Sequence, residues 1–449
     1  MHTNQVPSAI MAMLLLVLFL HAAPPSFTLE YKLDPRFTEI GKDMAAGSFI
    51  AMDDGSLLQM DSKDGGTVRI SRDDGKTWAP FSKMYDGPGP GKPTQDWETG
   101  LALKTKDGVI VWVYRDFKNR SFEWNHKTND AVASCDVWSI RSLDGGRTWV
   151  DRQRMFEGYT GAIINIIQTS DGNIVVPVQR LLHDPGRHAQ CTFVSPDNAK
   201  HWIRSNIIDL GGSGHHDGCI EGSVVELKDG RLYMIMRTNM DRFWEAFSWD
   251  GGITWLQIQP SQIFSTSSPG FITRLHDGRL ALIWTNLPQP PRSLTEINLF
   301  NITEYTTVPQ EPGGASGKTK SMIGPGAMRS AKRHDPPGKE PDIAPLATWP
   351  LIPDDQLDAY KKKWPEMRWK TGGGSDYSQR LACWSRNMLS LAFSEDDGKT
   401  WGEPIVFERG NMNYCQLWER RPGELWISMA IGPQRVLIRA NEAELTKGK

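Results

Sequence analysis

The stretch CIEGSVVELKDGRLYMIMRTNMDRFWEAFSWDGGITW, residues 219–255, decides the fold. Val224 to Leu227 and Arg231 to Met236 are β-type runs joined at Asp229-Gly230, a strong short signal for a hairpin. After a further strand, Ser248-Trp-Asp250-Gly-Gly252-Ile-Thr254-Trp255 makes a second tight turn closed by an aromatic residue. Two successive hairpins predict a four-stranded antiparallel sheet. Glu221 stands just before the first strand and Arg237 at the end of the second, so antiparallel pairing brings both to one end of the sheet. An acid and a guanidinium at that mouth form a candidate site of chemistry.

The unit repeats. Asp-Gly hairpins between apolar runs recur at Asp54-Gly55, Asp107-Gly108, Asp171-Gly172, Asp229-Gly230 and Asp277-Gly278, with a weaker copy at Pro422-Gly423. The second turn recurs as SRDDGKTW from Ser71, SLDGGRTW from Ser142, SWDGGITW from Ser248 and SEDDGKTW from Ser394; SPDNAKHW from Ser195 is a degenerate copy. Asp caps the N–H groups of the turn, Gly takes a positive φ, and Trp packs beneath. Six units at a period of roughly 50 to 60 residues predict a six-bladed β-propeller of four-stranded antiparallel blades.

The 449 residues, 10% aromatic content and 42 glycines suit one large β-domain. A net charge of −2 gives no footprint for nucleic acid. Ile10 to Leu20 is an apolar run too short to span a bilayer comfortably, followed by Ala22 and Ala23. It reads as a signal peptide over residues 1–22, with a membrane anchor or an N-terminal helix as the alternatives, and a signal peptide places the mature chain in a secreted or periplasmic setting with no stable membrane span. Five cysteines, Cys135, Cys191, Cys219, Cys383 and Cys415, allow at most two bridges, and none are spaced as metal ligands. His215-His216-Asp217 reads as a loop, because neighbours on extended backbone point opposite ways.

The propeller is expected over residues 29–449. Its first units run from about Ala45 to Trp78, Thr99 to Trp149 and Ala162 to Trp202; the stretch quoted above is the fourth, and the fifth begins at Gly270. Between Trp284 and Trp384 the pattern breaks into a Gly- and Pro-rich segment, an irregular insertion in the fifth blade at about 300–380. A short helix is expected there from Asp354 to Trp364. The sixth unit follows from Tyr414, its blade completed by an N-terminal strand near Leu29 to Leu33.

The Ser-x-Asp-x-Gly-x-Thr-Trp turns resemble the Asp boxes, or BNR repeats, of the sialidase (neuraminidase) superfamily. Glu221-Gly-Ser-Val-Val-Glu226 running on to Arg237 resembles the segment carrying the glutamate partner of the nucleophile and the second arginine of the substrate-binding triad. Ser385-Arg386-Asn-Met leading into the Ser394 turn looks like the third-arginine segment, and Asn413-Tyr414-Cys415-Gln-Leu417 like that of the catalytic tyrosine. The resemblance implies a retaining exo-α-sialidase-like glycoside hydrolase, with Tyr414, Glu221 and an acid/base aspartate as catalytic residues. Asp64 or Asp61, before the first Asp box, and Asp116 are the candidates for that aspartate, with Asp64 preferred. The region of the family's first arginine reads Lys42-Asp-Met-Ala-Ala-Gly-Ser-Phe-Ile, so Lys42, Arg36, Arg69 or Arg115 is left to stand in.

The chemistry agrees with that constellation. A sialic acid carries a carboxylate on its anomeric carbon, and a neutral tyrosine hydroxyl avoids the like charge that a carboxylate nucleophile would meet. A glutamate beside it can take the proton during attack. Arg237 and Arg386, with Arg115 and Asp116 beside them, are the substrate-binding candidates, since guanidinium groups match a carboxylate bidentately. No metal or cofactor is called for. The expected partner is a glycan bearing a terminal acidic sugar; another sugar, or a carbohydrate-binding propeller without catalysis, is the alternative.

Overall fold

In a computed structural model the chain forms the expected ring of six four-stranded antiparallel sheets. The structure describes residues 31–42, 48–61, 66–85, 100–125, 128, 130–184, 186–212, 215–240, 242–287, 362, 369–371, 381–383, 386–410, 412–431 and 434–447. The first sheet holds β2 (Phe49–Ala51), β3 (Leu57–Asp61), β4 (Thr67–Ser71) and β5 (Ala79–Lys83). The second holds β6 (Gly100–Lys104), β7 (Ile110–Arg115), β10 (Val137–Ser142) and β11 (Val150–Phe156). Between β7 and β10 a separate hairpin, β8 (Ser121–Asn125) with β9 (Asp130–Ser134), was not expected from the sequence. The third sheet is β12 (Ile167–Gln168) to β15 (Ile203–Arg204), through β13 (Ile174–Leu182) and β14 (Arg187–Ser195).

The fourth sheet is β16 (Ile220–Glu226), β17 (Leu232–Arg237), β18 (Arg242–Ser248) and β19 (Leu256–Phe264), the two hairpins quoted above. The fifth is β20 (Phe271–Arg274), β21 (Leu280–Thr285), β24 (Leu389–Ser394) and β25 (Ile405–Glu408). In the chain between β21 and β24 lies a two-stranded pair, β22 (Trp369–Thr371) with β23 (Leu381–Cys383). The rest of the expected insertion, its helix included apart from residue 362, lies outside the described residues, as do residues 1–30 with the expected signal peptide. The sixth sheet is β26 (Asn413–Arg421), β27 (Glu424–Ile431), β28 (Gln434–Asn441) and, from the far end of the chain, β1 (Phe37–Lys42). The closing strand is therefore Phe37–Lys42 and not Leu29 to Leu33; Leu33 makes only an isolated bridge to Glu408. Both stretches are β-compatible, and the register with β28 selects the second.

The core lies between blades. Val175 and Val194 of the third sheet pack with Met234 and Trp244 of the fourth, and Tyr233 and Phe243 of the fourth with Leu280 and Trp284 of the fifth. Phe49 and Leu57 of the first meet Trp418 and Trp426 of the sixth, which closes the ring. Second strands are buried along their whole length, as in Leu232–Arg237 and Leu280–Thr285, so they read as continuous apolar runs without alternation. Near the axis Asn165 ties three blades: its Nδ2 donates to Val224 O at 2.7 Å and Ile272 O at 3.2 Å, and its Oδ1 accepts from Val224 N at 3.0 Å.

The turns behave as their residues require. The six hairpin glycines, from Gly55 to Gly423, all have φ between +78° and +94°. In the Asp boxes the serine hydroxyl accepts from the glycine N–H, and the aspartate accepts from the threonine N–H and hydroxyl, as at Asp73, Asp144 and Asp396. The threonine hydroxyl and N–H hold the Asp73 and Asp396 carboxyls down to about 2. Trp255 is fully buried, and its Nε1 donates to Thr192 Oγ1 of the preceding blade at 2.8 Å. Trp255→Ala is expected to lower unfolding free energy by about 3–5 kcal/mol, measured by denaturant titration, because it opens a cavity and removes one of the two hydrogen bonds of that hydroxyl.

Candidate active site

At the end of the ring opposite the Asp boxes, two chain positions share one backbone device. Ile220 pairs with Arg237 and Ser223 with Ile235, so one extra residue is inserted at the start of β16. Asn413 pairs with Ala430 and Gln416 with Ser428, which inserts one extra residue in β26 in the same way. These are β-bulges, and the residues displayed by them are Glu221 at φ 54° and Tyr414 at φ 50°. Left-handed backbone at a non-glycine residue costs on the order of 1–3 kcal/mol and persists where the surroundings enforce it. Neither bulge was read from the sequence.

The two side chains meet across the ring. Tyr414 Oη donates to Glu221 Oε1 at 2.7 Å, and Arg237 Nη1 donates to Glu221 Oε2 at 2.8 Å. Glu221 and Arg237 are 5% and 3% exposed, so each compensates the other's lost hydration. Ser267, in a buried run from Ser265 to Ser268 that links the fourth sheet to the fifth, joins the group. Its hydroxyl accepts from Arg237 Nη2 at 3.1 Å and donates to Asn239 Oδ1 at 2.7 Å; its carbonyl accepts from Arg386 Nη2 at 3.3 Å. The Arg386 guanidinium lies 5.6 Å from the Tyr414 ring centroid. Four residues named from the sequence, Glu221, Arg237, Arg386 and Tyr414, thus form one cluster.

Burial first, and then the Glu221 charge, push the Tyr414 phenol well above its ordinary range, against Arg237 and Arg386. It is therefore a protonated hydroxyl at neutral pH, with a carboxylate placed to receive its proton. Burial lowers Arg386, as does the Arg237 charge, while Tyr414 and Glu221 act upward. For Arg237 burial acts downward and is outweighed by the Glu221 and Tyr414 interactions, so its charge is reinforced.

The other described candidates make contacts of their own. Arg115 ends β7, 4% exposed; its Nη1 donates to Thr160 O at 3.2 Å and to Gly161 O, and its guanidinium lies 4.7 Å from the Phe117 ring centroid. Asp116 accepts from Lys118 N at 2.9 Å, capping the turn that follows. Arg36 pairs with Asp34 at 2.9 Å, and Arg69 is exposed on β4. Asp64 lies outside the described residues, as does the Asp61 side chain. In the sixth blade Arg435, buried, pairs in register with Ala430, whose other neighbour is Asn413 beside Tyr414.

A histidine wall escaped the sequence reading. His215 and His216 do not point opposite ways: His216 has φ 80° and the two rings are 3.9 Å apart. Gly218 presses this loop onto β14, where any Cβ would meet His188 O at 1.9 Å. His188 follows at 6.2 Å from His216, with its Nδ1 2.8 Å from Gln179 Nε2. Burial, then the charges of His215 and Arg237, lower His188 to about 3, so it is neutral at physiological pH. Phe122 and Trp124 of the unexpected hairpin lie 4.8 and 5.5 Å from His215. Among the described residues no three His, Cys, Asp or Glu side chains are placed to hold a metal ion, and no helix is long and apolar enough to cross a membrane. Cys135, Cys191, Cys219 and Cys415 are buried.

A family described as BNR repeat-like domain matches residues 68–427. The chain belongs to that family. The likeness to Asp-box propellers of the sialidase superfamily is borne out with it. No curated protein matches this BNR-repeat propeller. Similar solved structures include a protein of unknown function from Dyadobacter fermentans DSM 18053, at 16% identity over 91% of this chain and 100% of that one, TM-score 0.47. An alpha-L-arabinanase of Penicillium chrysogenum is 12% identical over 92% and 95%, TM-score 0.49. An intramolecular trans-sialidase of Ruminococcus gnavus is 11% identical over 92% and 98%, TM-score 0.45.

The chain leading into Tyr414 is held by one buried carboxyl. Glu408 Oε2 accepts from Met412 N at 3.1 Å and Oε1 from Gly410 N, and burial pushes Glu408 from its ordinary 4.5 up to about 7. The folded state therefore keeps this proton where the unfolded chain releases it. The resulting stability is complete below about 4.5 and is lost as pH rises through about 7, on the order of 3 kcal/mol in all. The BNR-repeat propeller should melt at lower temperature at about pH 8 than at about pH 5, and Glu408→Gln should flatten that difference in calorimetry.

Proposed function

We propose that the chain is a retaining exo-glycosidase that releases a terminal acidic sugar, sialic acid first, from the non-reducing end of a glycan. The observation that carries this reading is the 2.7 Å hydrogen bond from Tyr414 Oη to a Glu221 carboxylate itself held by Arg237. A phenol raised by burial is a poor nucleophile alone; a base in contact with its proton makes it a competent one. Tyr414 Oη attacks the anomeric carbon as its proton passes to Glu221, and the glycosidic bond to the leaving oxygen breaks. A carboxylic acid protonates that oxygen. Asp64 is assigned this role, and Asp116 is the other candidate. The same group then takes a proton from water as water displaces Tyr414 from the sugar, while Glu221 returns its proton to the departing Tyr414 oxygen, and the two displacements retain the anomeric configuration. Arg237 and Arg386 receive the sugar's carboxylate, and Arg115, at the end of β7 in the second blade, is a further candidate.

Another terminal sugar is the second reading. It is favoured by the absence of arginine between Lys42 and Ile50 and by the neutral imidazole of His188 beside the cluster. Action outside the cytoplasm follows from the apolar run of Ile10 to Leu20, and N-terminal sequencing of the mature protein from its host tests it.

An aryl α-sialoside and a panel of neutral aryl glycosides separate the two sugar readings by which one is turned over. Tyr414→Phe keeps the packing, so its stability should change by roughly 1 kcal/mol or less while kcat falls by a factor of about 10³ or more. Trapping with a fluorinated sugar should label Tyr414 in the parent protein and nothing in the variant. Unchanged turnover in Tyr414→Phe would remove the tyrosine from the mechanism.

A further inference from the structure

Among the described residues, ten that are not glycine have positive φ. Asp74, Asn198, Ala199 and Asp397 lie within Asp boxes, Asp151 and Gln257 two residues beyond one, and Asp184 in the turn between β13 and β14. The other three are Glu221, Tyr414 and His216, at φ 54°, 50° and 80°. Strain outside a repeated turn persists only where the surroundings enforce it, and it collects at functional sites. Glu221 and Tyr414 belong to the cluster already described. His216 is half-buried and stands five residues before Glu221 on the chain.

The loop that carries His216 is pinned at both ends. Arg187 grips Asp209 with Nε at 3.0 Å and Nη2 at 2.6 Å, both side chains buried, and Asp209 Oδ1 accepts from Gly211 N at 2.8 Å. Gly212, at φ 99°, has no room for a Cβ, which would lie 2.8 Å from Asp217 Cβ. Beyond His216, His188 N donates to Asp217 O at 2.9 Å and Cys219 N to His188 O at 3.2 Å, which fastens the loop to β14 just before the bulge at Glu221. His215, 3.9 Å from His216, packs in turn on Phe122 and Trp124, so His216 is the member of this row closest in sequence to the cluster. Burial first, then the charges of His215, Arg237, His188 and Arg386, hold His216 well below its ordinary range. The ring is neutral at physiological pH, and it donates one hydrogen bond and accepts one. A strained residue and an imidazole beside two cations both cost stability, and contact with a ligand gives such an arrangement a use.

We infer that His216 is a substrate-contacting residue, its ring hydrogen-bonding an uncharged hydroxyl of the sugar whose carboxylate Arg237 and Arg386 receive. The arginines select the charge, and His216 selects the uncharged flank. Arg187 and Asp209 act through the loop as positioning residues. This role rests on the proposed acidic-sugar substrate, whether or not Tyr414 is the nucleophile.

Substitution by glycine separates this role from a structural one, because glycine adopts φ 80° freely. His216→Gly should melt at no lower temperature than the parent, since the relieved strain and the removed imidazole offset the lost ring contacts. Its affinity for free N-acetylneuraminic acid, measured by titration calorimetry, should fall about tenfold or more. KM for an aryl α-sialoside should rise in step, with kcat changed less. His216→Asn tolerates the same φ and keeps a donor and an acceptor, so it should recover most of the loss. Parent-like affinity and KM in His216→Gly overturn the contact and leave the proposed function standing. Weakened binding with a lowered melting temperature in both variants overturns it too, in favour of a structural role. A parent that neither binds the free sugar acid nor turns over the sialoside overturns the contact and the acidic-sugar substrate together.

Discussion

Everything in this molecule depends on the pairing of β1 with β28. Phe37 to Lys42 come from the start of the described chain and Gln434 to Asn441 from its end, and their ladder completes the sixth blade. A propeller blade buries its faces only against neighbouring blades, so an open ring would leave two of them bare. Closure sets the Trp418 and Trp426 rings against Phe49 of the first blade. It also fixes β26, and with it Tyr414, in a ring whose fourth blade carries Glu221. The site depends on this closure as much as the core does.

The second constraint is the Glu221 carboxylate. A charge buried to this degree needs a partner and satisfied lone pairs, and it has Arg237 on one oxygen and Tyr414 on the other. Those partners come from the same blade and from two blades away, with Ser267, in the link from the fourth sheet to the fifth, supporting Arg237 and Arg386. The strain of two left-handed residues is offset by this network, which aims both side chains at one point. The opposite face follows a different logic. There the Asp boxes repeat one local solution, as at Asp73, Asp144 and Asp396.

Much of the fold was legible because its signals are local. Asp-Gly at each hairpin and Ser-x-Asp-x-Gly at the second turn act over a few residues, so counting them counted the blades. Glu221 and Arg237 lie sixteen residues apart on one hairpin, and antiparallel pairing alone brought them together. Local signals misled where two stretches fit equally well, as with Leu29 to Leu33 and Phe37 to Lys42. They also misled at His215-His216, where a left-handed residue overturned the alternation assumed for extended backbone.

By itself the sequence determined the repeat, the turns, the face on which each strand end lies and, through the family resemblance, which tyrosine and arginines to watch. Only the tertiary structure decided that Tyr414 touches Glu221 across 193 residues, that Ser267 holds both arginines, and that a histidine wall stands beside them. The reason is physical. A turn is specified by the residues within it, whereas a contact between blades depends on ring closure, bulges and the side chain that the neighbouring blade presents. No periodicity along the chain records these.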